Sequence, residues 1–169
     1  MICNLCYRCN DPCVGFALNK NDSAVKCYMG DTGLLVSHAF DENEKRDINV
    51  YSSILNNKVS INKGMLFENA IAQMLVVNNN KLYFYNHYND EKHRNDIEID
   101  FIISSGNKTN NKIIPIEVKS TKKYKTVSLN RFIEKYKSRI ETSYIIHPKN
   151  LSINEDGIIC IPAYMTFCL

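Results

Sequence analysis

Apolar residues at Met65, Leu66, Ala70, Met74 and Val77 keep helical spacing, and Asn62 stands where its side chain can cap a first turn. The pattern predicts a helix over 62–77. Asn78, Asn79 and Asn80 end it, and the aromatic run Leu82-Tyr83-Phe84-Tyr85 favours a strand. Farther on, Ile97, Ile99, Phe101 and Ile103 alternate with Glu98, Asp100, Ile102 and Ser104. That alternation predicts a strand with one buried face and Asp100 on the other. A turn-rich stretch, 104–111, leads into Ile113-Ile114-Pro115-Ile116-Glu117-Val118-Lys119, which we expect to pair antiparallel with it, Glu117 and Lys119 sharing a face. Ser128 is placed to cap a helix through about 137, with Leu129, Phe132, Ile133 and Tyr136 as its apolar stripe. Strands follow at 144–146 and 158–161, the second stopped by Pro162, and the apolar tail to Leu169 is expected to pack back on the domain.

Upstream, 1–20 suggests a strand running into a loop at Pro12 and Gly15, and 25–29 a short second strand. Asp31 can cap a helix starting at Thr32, and a polar connection covers 41–47. The element order is therefore αβββαβ after a preamble. It predicts an α/β protein with a central mixed sheet flanked by helices, divided into a preamble, 1–60, and a domain, 61–169. A chain of 169 residues suffices for one domain with a real core.

Composition narrows the class: with 44% hydrophobic and 23% charged residues, a disordered chain is excluded. No apolar run is long enough to cross a bilayer, and Met1-Ile2-Cys3-Asn4 lacks the blocks of a signal peptide, so we expect a cytoplasmic protein without a membrane partner. Seven cysteines cannot all pair within one chain, which argues against a disulfide framework. The net charge of +3 is unevenly spread. Between Gly106 and Arg139 ten basic residues (Lys108, Lys112, Lys119, Lys122, Lys123, Lys125, Arg131, Lys135, Lys137, Arg139) face only Glu117 and Glu134, which is +8 locally and −5 elsewhere. Such a surface attracts a polyanion, and Lys122, Lys123, Lys125 and Arg131 are candidate nucleic-acid contacts.

Phosphodiester hydrolysis needs a divalent cation held by oxygens, an activated water and a positive group near the phosphorus. Asp100 on one strand and Glu117 on the next could share one Mg²⁺, with the Val118 carbonyl as a third ligand. Lys119, on the same side as Glu117, could orient water or neutralise developing charge. An Asp followed on the neighbouring strand by Glu-x-Lys resembles the PD-(D/E)XK nuclease superfamily. The resemblance implies a restriction-endonuclease-like core and adds a catalytic and metal-binding Glu from the preceding helix, a role that Glu68 fits.

Further segments resemble one family in particular. Lys26-Cys27-Tyr28-Met29-Gly30-Asp31-Thr32-Gly33-Leu34-Leu35, the Glu68 helix, Glu98-Ile99-Asp100-Phe101, Ile114 to Ser120 and Ile161-Pro162-Ala163-Tyr164 are similar, in order, to the uncharacterised C-terminal domain that follows the ATPase module in a group of prokaryotic AAA+ ATP-binding proteins. That resemblance implies an ATPase module as partner. The chain itself has no Gly-x4-Gly-Lys-Ser/Thr; Gly106-Asn107-Lys108-Thr109 imitates only its tail. No ATP hydrolysis is expected of it, and we expect it to be a C-terminal portion or a truncated or split version of such a protein.

Cys3, Cys6, Cys9 and Cys13 have the spacing Cys-x2-Cys-x2-Cys-x3-Cys of bacterial ferredoxins, which makes them candidate cluster ligands. Against a cluster, Val14 stands where that run continues with Pro, and no second run supplies a partner. Superfamily nucleases that hold a cluster place one Cys before the core and three after it, whereas here four precede the core and only Cys160 and Cys168 follow. We therefore expect neither an iron–sulfur cluster nor zinc. Three functions stay open: a Mg²⁺-dependent nuclease, a catalytically silent nucleic-acid-binding or docking module of an ATPase, and a remnant of a disrupted gene.

Overall fold

A computed structural model describes residues 2–13, 15–40, 62–91, 93–105 and 112–169, and in it the strand that carries Asp100 is buried on both faces. The connection expected at 41–47 and the tip of the turn around Lys108 lie outside these residues. Among the described residues, eight strands form one mixed sheet: β1 (Cys3–Cys9), β2 (Lys20–Met29), β3 (Tyr83–Asn89), β4 (Arg94–Ser104), β5 (Ile113–Val118), β6 (Tyr144–His147), β7 (Ser152–Ile153) and β8 (Ile159–Pro162). Their order in space is β2-β1-β3-β4-β5-β6-β8-β7. The helices are α1 (Phe16–Asn19), α2 (Thr32–Phe40), α3 (Lys63–Val77) and α4 (Val127–Tyr136).

The β3-β4-β5 meander is antiparallel, the β4-β5 pair as the intervening turn chemistry predicts, and β5, β6 and β8 run parallel. A parallel pair needs a crossover, which α4 supplies between β5 and β6. β1 and β2, from the stretch read as a preamble, extend the same sheet, β1 pairing antiparallel with β2 and parallel with β3. The polar–apolar pattern of β1 gave no hint of that parallel partner.

Each face of the sheet has its own core. On one, Ile71, Ala72 and Leu75 of α3 pack on Phe84, Phe101, Ile103, Ile116, Ile146 and Ile161. On the other, Leu129 and Phe132 of α4 pack on Tyr85, Ile99, Ile102, Ile113 and Ile145. This double covering explains why β5 reads as a nearly continuous apolar run. The C-terminal tail packs back as expected: Ala163–Cys168 forms a 3₁₀ helix, and Asn78 Nδ2 donates to the carbonyls of Phe167 and Leu169 at 2.7 and 3.0 Å. No helix among the described residues is long and apolar enough to cross a membrane.

One expectation is corrected. Ile97, Ile99, Phe101 and Ile103 do not share a face: Ile97, Ile99 and Ile102 join the α4-side core, whereas Phe101 and Ile103 join the α3-side core. The cause is a bulge. Tyr83 pairs with Ile102 but Tyr85 with Ile99, so β4 spends one extra residue there and its facing reverses across Asp100 and Phe101.

The α3 cap forms as predicted, with Asn62 Oδ1 accepting from Met65 N at 3.1 Å. Asn62→Ala is expected to cost about 1 kcal/mol, read as a lower urea midpoint at unchanged slope. An unchanged midpoint would mean that water serves Met65 N–H equally well.

Candidate active site

The bulge at Asp100 sits where β4 and β5 part. Their pairing runs from Ser104 opposite Ile113 back to Phe101 opposite Ile116, and stops there. Beyond that point, side chains take over the bonds a ladder would make. Asp100 Oδ2 accepts from Val118 N at 2.7 Å. Ser128 Oγ serves both backbone groups of Glu98, donating to its carbonyl at 2.8 Å and accepting from its N–H at 2.5 Å. The expected cap at Ser128 is thereby corrected: α4 begins at Val127 with Thr126 as its N-cap residue, and the Ser128 hydroxyl is spent on clamping α4 to β4.

The parted strands open a cleft of about 590 Å³ on the α4 side, walled by Arg94, Asp100, Glu117, Lys119, Ser128 and Arg131 among others. Glu117 is 4% exposed, and its Oε1 meets Lys119 Nζ at 2.5 Å. Its other oxygen, Oε2, is buried without a partner. Burial pushes the Glu117 carboxyl above the usual carboxylate range, although Lys119 pulls it down. Asp100 is pushed up to about 7, first by burial and then by the Glu68 carboxylate; the Val118 N–H and Lys26 oppose this, and Glu117 adds to it.

Glu68 is close enough to act on Asp100 but opens to a different cleft, lined by Lys26, Tyr28, Asn62, Gly64 and Met65. There its Oε1 accepts from Lys26 Nζ at 3.2 Å and from the Tyr28 hydroxyl. Three of the four expected catalytic residues thus converge on one cleft, and Glu68 stands behind Asp100. Among the described residues, no three acidic, imidazole or thiol groups already converge as a metal site.

The model of a family described as a domain of unknown function, DUF4143, matches residues 63–165, more than half of the chain. The chain belongs to the DUF4143 family. The DUF4143 match begins with α3 and takes in Glu68, Asp100, Glu117 and Lys119, whereas β1, α1, β2 and α2 precede it. No curated protein matches, and no solved structure matches.

Of the basic candidates, Lys122, Lys123 and Lys125 are exposed in the connection from Lys119 to α4, and exposed Arg131 lines the cleft while donating to the Asp96 carbonyl at 3.2 Å. Sequence reasoning missed Arg94, Lys26 and Tyr28. Lys26 and Tyr28 alternate along β2 on the face covered by α3, and a lysine in such a place signals a buried carboxylate partner.

The structure does not gather the four candidate cluster cysteines of this DUF4143 chain. A strand turns side chains three apart to opposite faces, and Cys6 enters the α3-side core while Cys9 enters the α4-side core. Burial raises both thiols, Cys9 to about 11. Cys13 lies near Cys9 and accepts from Asn19 Nδ2 at 3.1 Å, and Cys3 lies beside Met29.

Proposed function

We propose that this DUF4143 domain is a PD-(D/E)XK-like nuclease module that hydrolyses phosphodiesters with Mg²⁺. The observation that carries this reading is the convergence of Asp100, Glu117 and Lys119 on one cleft at a sheet bulge, with a buried Glu117 oxygen left unpaired. A buried unpaired carboxylate oxygen is costly, and a carboxyl raised to about 7 is held back from ionising. Both states are relieved by a hard divalent cation. The donor set fits Mg²⁺, which commonly takes one or two carboxylates and fills its remaining positions with water and substrate phosphate oxygens. When bound, the metal would polarise the phosphoryl group and lower the pKa of a water.

Asp100 and Glu117 would hold the cation. Asp100 is aimed at this place because its other duty, bonding Val118 N–H, fixes its carboxylate between the strands. Lys119 would leave Glu117 for the phosphate or the attacking water, bringing its charge where negative charge develops. Glu68 would contribute its field from behind Asp100, steadied by Lys26 and Tyr28. Arg94 and Arg131 on the cleft wall, with Lys122, Lys123 and Lys125 beyond it, would receive the nucleic-acid backbone. The likeness of five ordered segments to the C-terminal domain of prokaryotic AAA+ ATP-binding proteins supports an ATPase module as the partner of this one.

The test incubates the chain with single-stranded, duplex and branched DNA and with RNA, in Mg²⁺ or Mn²⁺. Lys119→Ala and Asp100→Ala are each expected to reduce cleavage at least ~100-fold. Cleavage that persists in both variants sinks the proposal. The exposed lysines between β5 and α4 favour a second reading, a binding module without catalysis. It predicts no cleavage but salt-dependent binding. Replacing Lys122, Lys123 and Lys125 is then expected to flatten the log–log salt slope by about 0.9 for each phosphate they had neutralised.

A further inference from the structure

The outer strands of the sheet bring together three sulfur atoms that the cleft does not use. Cys3 of β1 lies directly across from Met29 of β2, and Leu5 directly across from Cys27. Alternation along β2 puts Cys27 and Met29 on one face, so Cys3, Cys27 and Met29 occupy neighbouring positions of the same face. It is the face opposite the one on which Cys6 and Tyr28 enter the α3-side core. Cys3 Sγ and Met29 Sδ are 3.9 Å apart. Cys27 interacts with the Cys3 thiol, and that interaction, followed by burial, holds it above the ordinary thiol pKa. Cys27 is exposed and Cys3 and Met29 are half-buried, so the group opens to solvent.

We propose that Cys3, Cys27 and Met29 form a surface site for one soft monovalent metal ion, Cu(I). Metal–sulfur bonds of about 2.3 Å put the corners of a trigonal sulfur site about 4 Å apart, which is the separation that Cys3 and Met29 already have. Two thiolates and a thioether select Cu(I) by softness. The next positions along this face, Leu5 and Val25, carry no oxygen that would favour a hard cation, and Lys26, the nearest charged neighbour on β2, points to the other face with Glu68. The ligands are preset by the β1-β2 ladder, so binding requires little beyond the loss of thiol protons to solvent.

The full chain, reduced and kept anaerobic, is titrated with Cu(I) in competition with a chromogenic Cu(I) chelator. Wild type and the control Cys168→Ser are expected to take up a single tight equivalent. Cys3→Ser and Cys27→Ser are expected to lose more than the roughly 10- to 100-fold that removing a supporting residue costs, and Met29→Leu, which preserves shape, about 10-fold. Circular dichroism confirms that each variant is folded, and Met29→Leu keeps the test decisive if a serine variant is not. Failure of wild type to compete overturns the proposal, as does equal affinity in wild type and both serine variants. Unchanged affinity in Met29→Leu overturns the three-sulfur site. None of these outcomes depends on the nuclease reading.

Discussion

Replacing Asp100 by Asn is expected to stabilise the metal-free protein at neutral pH, by up to about 4 kcal/mol. The folded-state carboxyl is pushed up to about 7 from an ordinary 3.8, first by burial and then by Glu68. Between those pH values the folded chain holds a proton that the unfolded chain has released. A native state that binds more protons loses stability as pH rises, so wild type is most favoured below 3.8, declines through the window and levels off above 7. The groups facing Asp100 are Glu68, Lys26, Glu117 and the Val118 N–H, with the Cys6 thiol and the Tyr28 hydroxyl also near it. Glu117, also raised, pushes stability in the same direction. Asn keeps an acceptor for Val118 N–H but nothing to ionise. Guanidinium denaturation in chelator from pH 4 to 8 therefore separates the two proteins progressively as pH rises, and parallel profiles would refute the assignment. Mg²⁺ is expected to restore much of the loss in wild type, because a ligand bound only by the native state stabilises it, and little in the variant.

Phe132→Ala is expected to cost 3–5 kcal/mol, a large part of the roughly 5–15 kcal/mol that holds a domain together. Phe132 is wholly buried, with its ring 5.3 Å from Tyr85 and 4.9 Å from Tyr136, centroid to centroid. The two tyrosine hydroxyls bond each other at 2.9 Å, so losing the ring between them unsettles a polar link as well as leaving a cavity. α4 also carries Ser128 and Arg131 to the cleft wall, and its loosening is expected to weaken the Ser128 clamp on Glu98. The denaturant midpoint gives the number. A loss under about 1 kcal/mol would mean that α4 contributes little to the core.

What could be read from the chain depended on whether local chemistry or a distant partner decided the outcome. The α3 helix and its Asn62 cap were legible because spacing and cap lie within a few residues, and the Asp31 cap of α2 likewise appears, bonding Leu34 N at 2.9 Å. The adjacency of Glu117 and Lys119 followed from strand alternation alone. The bulge was hidden because Ile99, Phe101, Ile102 and Ile103 are all apolar, so a reversal of facing leaves no mark on a polar–apolar pattern. Ser128 has the right chemistry for a cap, and only the three-dimensional approach of Glu98 shows that its hydroxyl is engaged elsewhere. The cysteine spacing of a cluster loop is read differently once those residues lie on a strand, where Cys6 and Cys9 part to opposite faces. Glu68 was named from its place in the preceding helix, but that it opens to a separate cleft, shared with Lys26 and Tyr28, depends on β2 reaching the same face as α3.

The bond from Val118 N–H to Asp100 makes the length of one side chain a ruler for the gap between two strands. Aspartate spans it; glutamate, one methylene longer, would either overshoot the amide or force the strands wider, and alanine would leave the amide bare. Position 100 is therefore fixed twice over, once by the charge that the proposed metal-binding role would need and once by the distance the sheet must keep, and even the most conservative acidic exchange satisfies only the first.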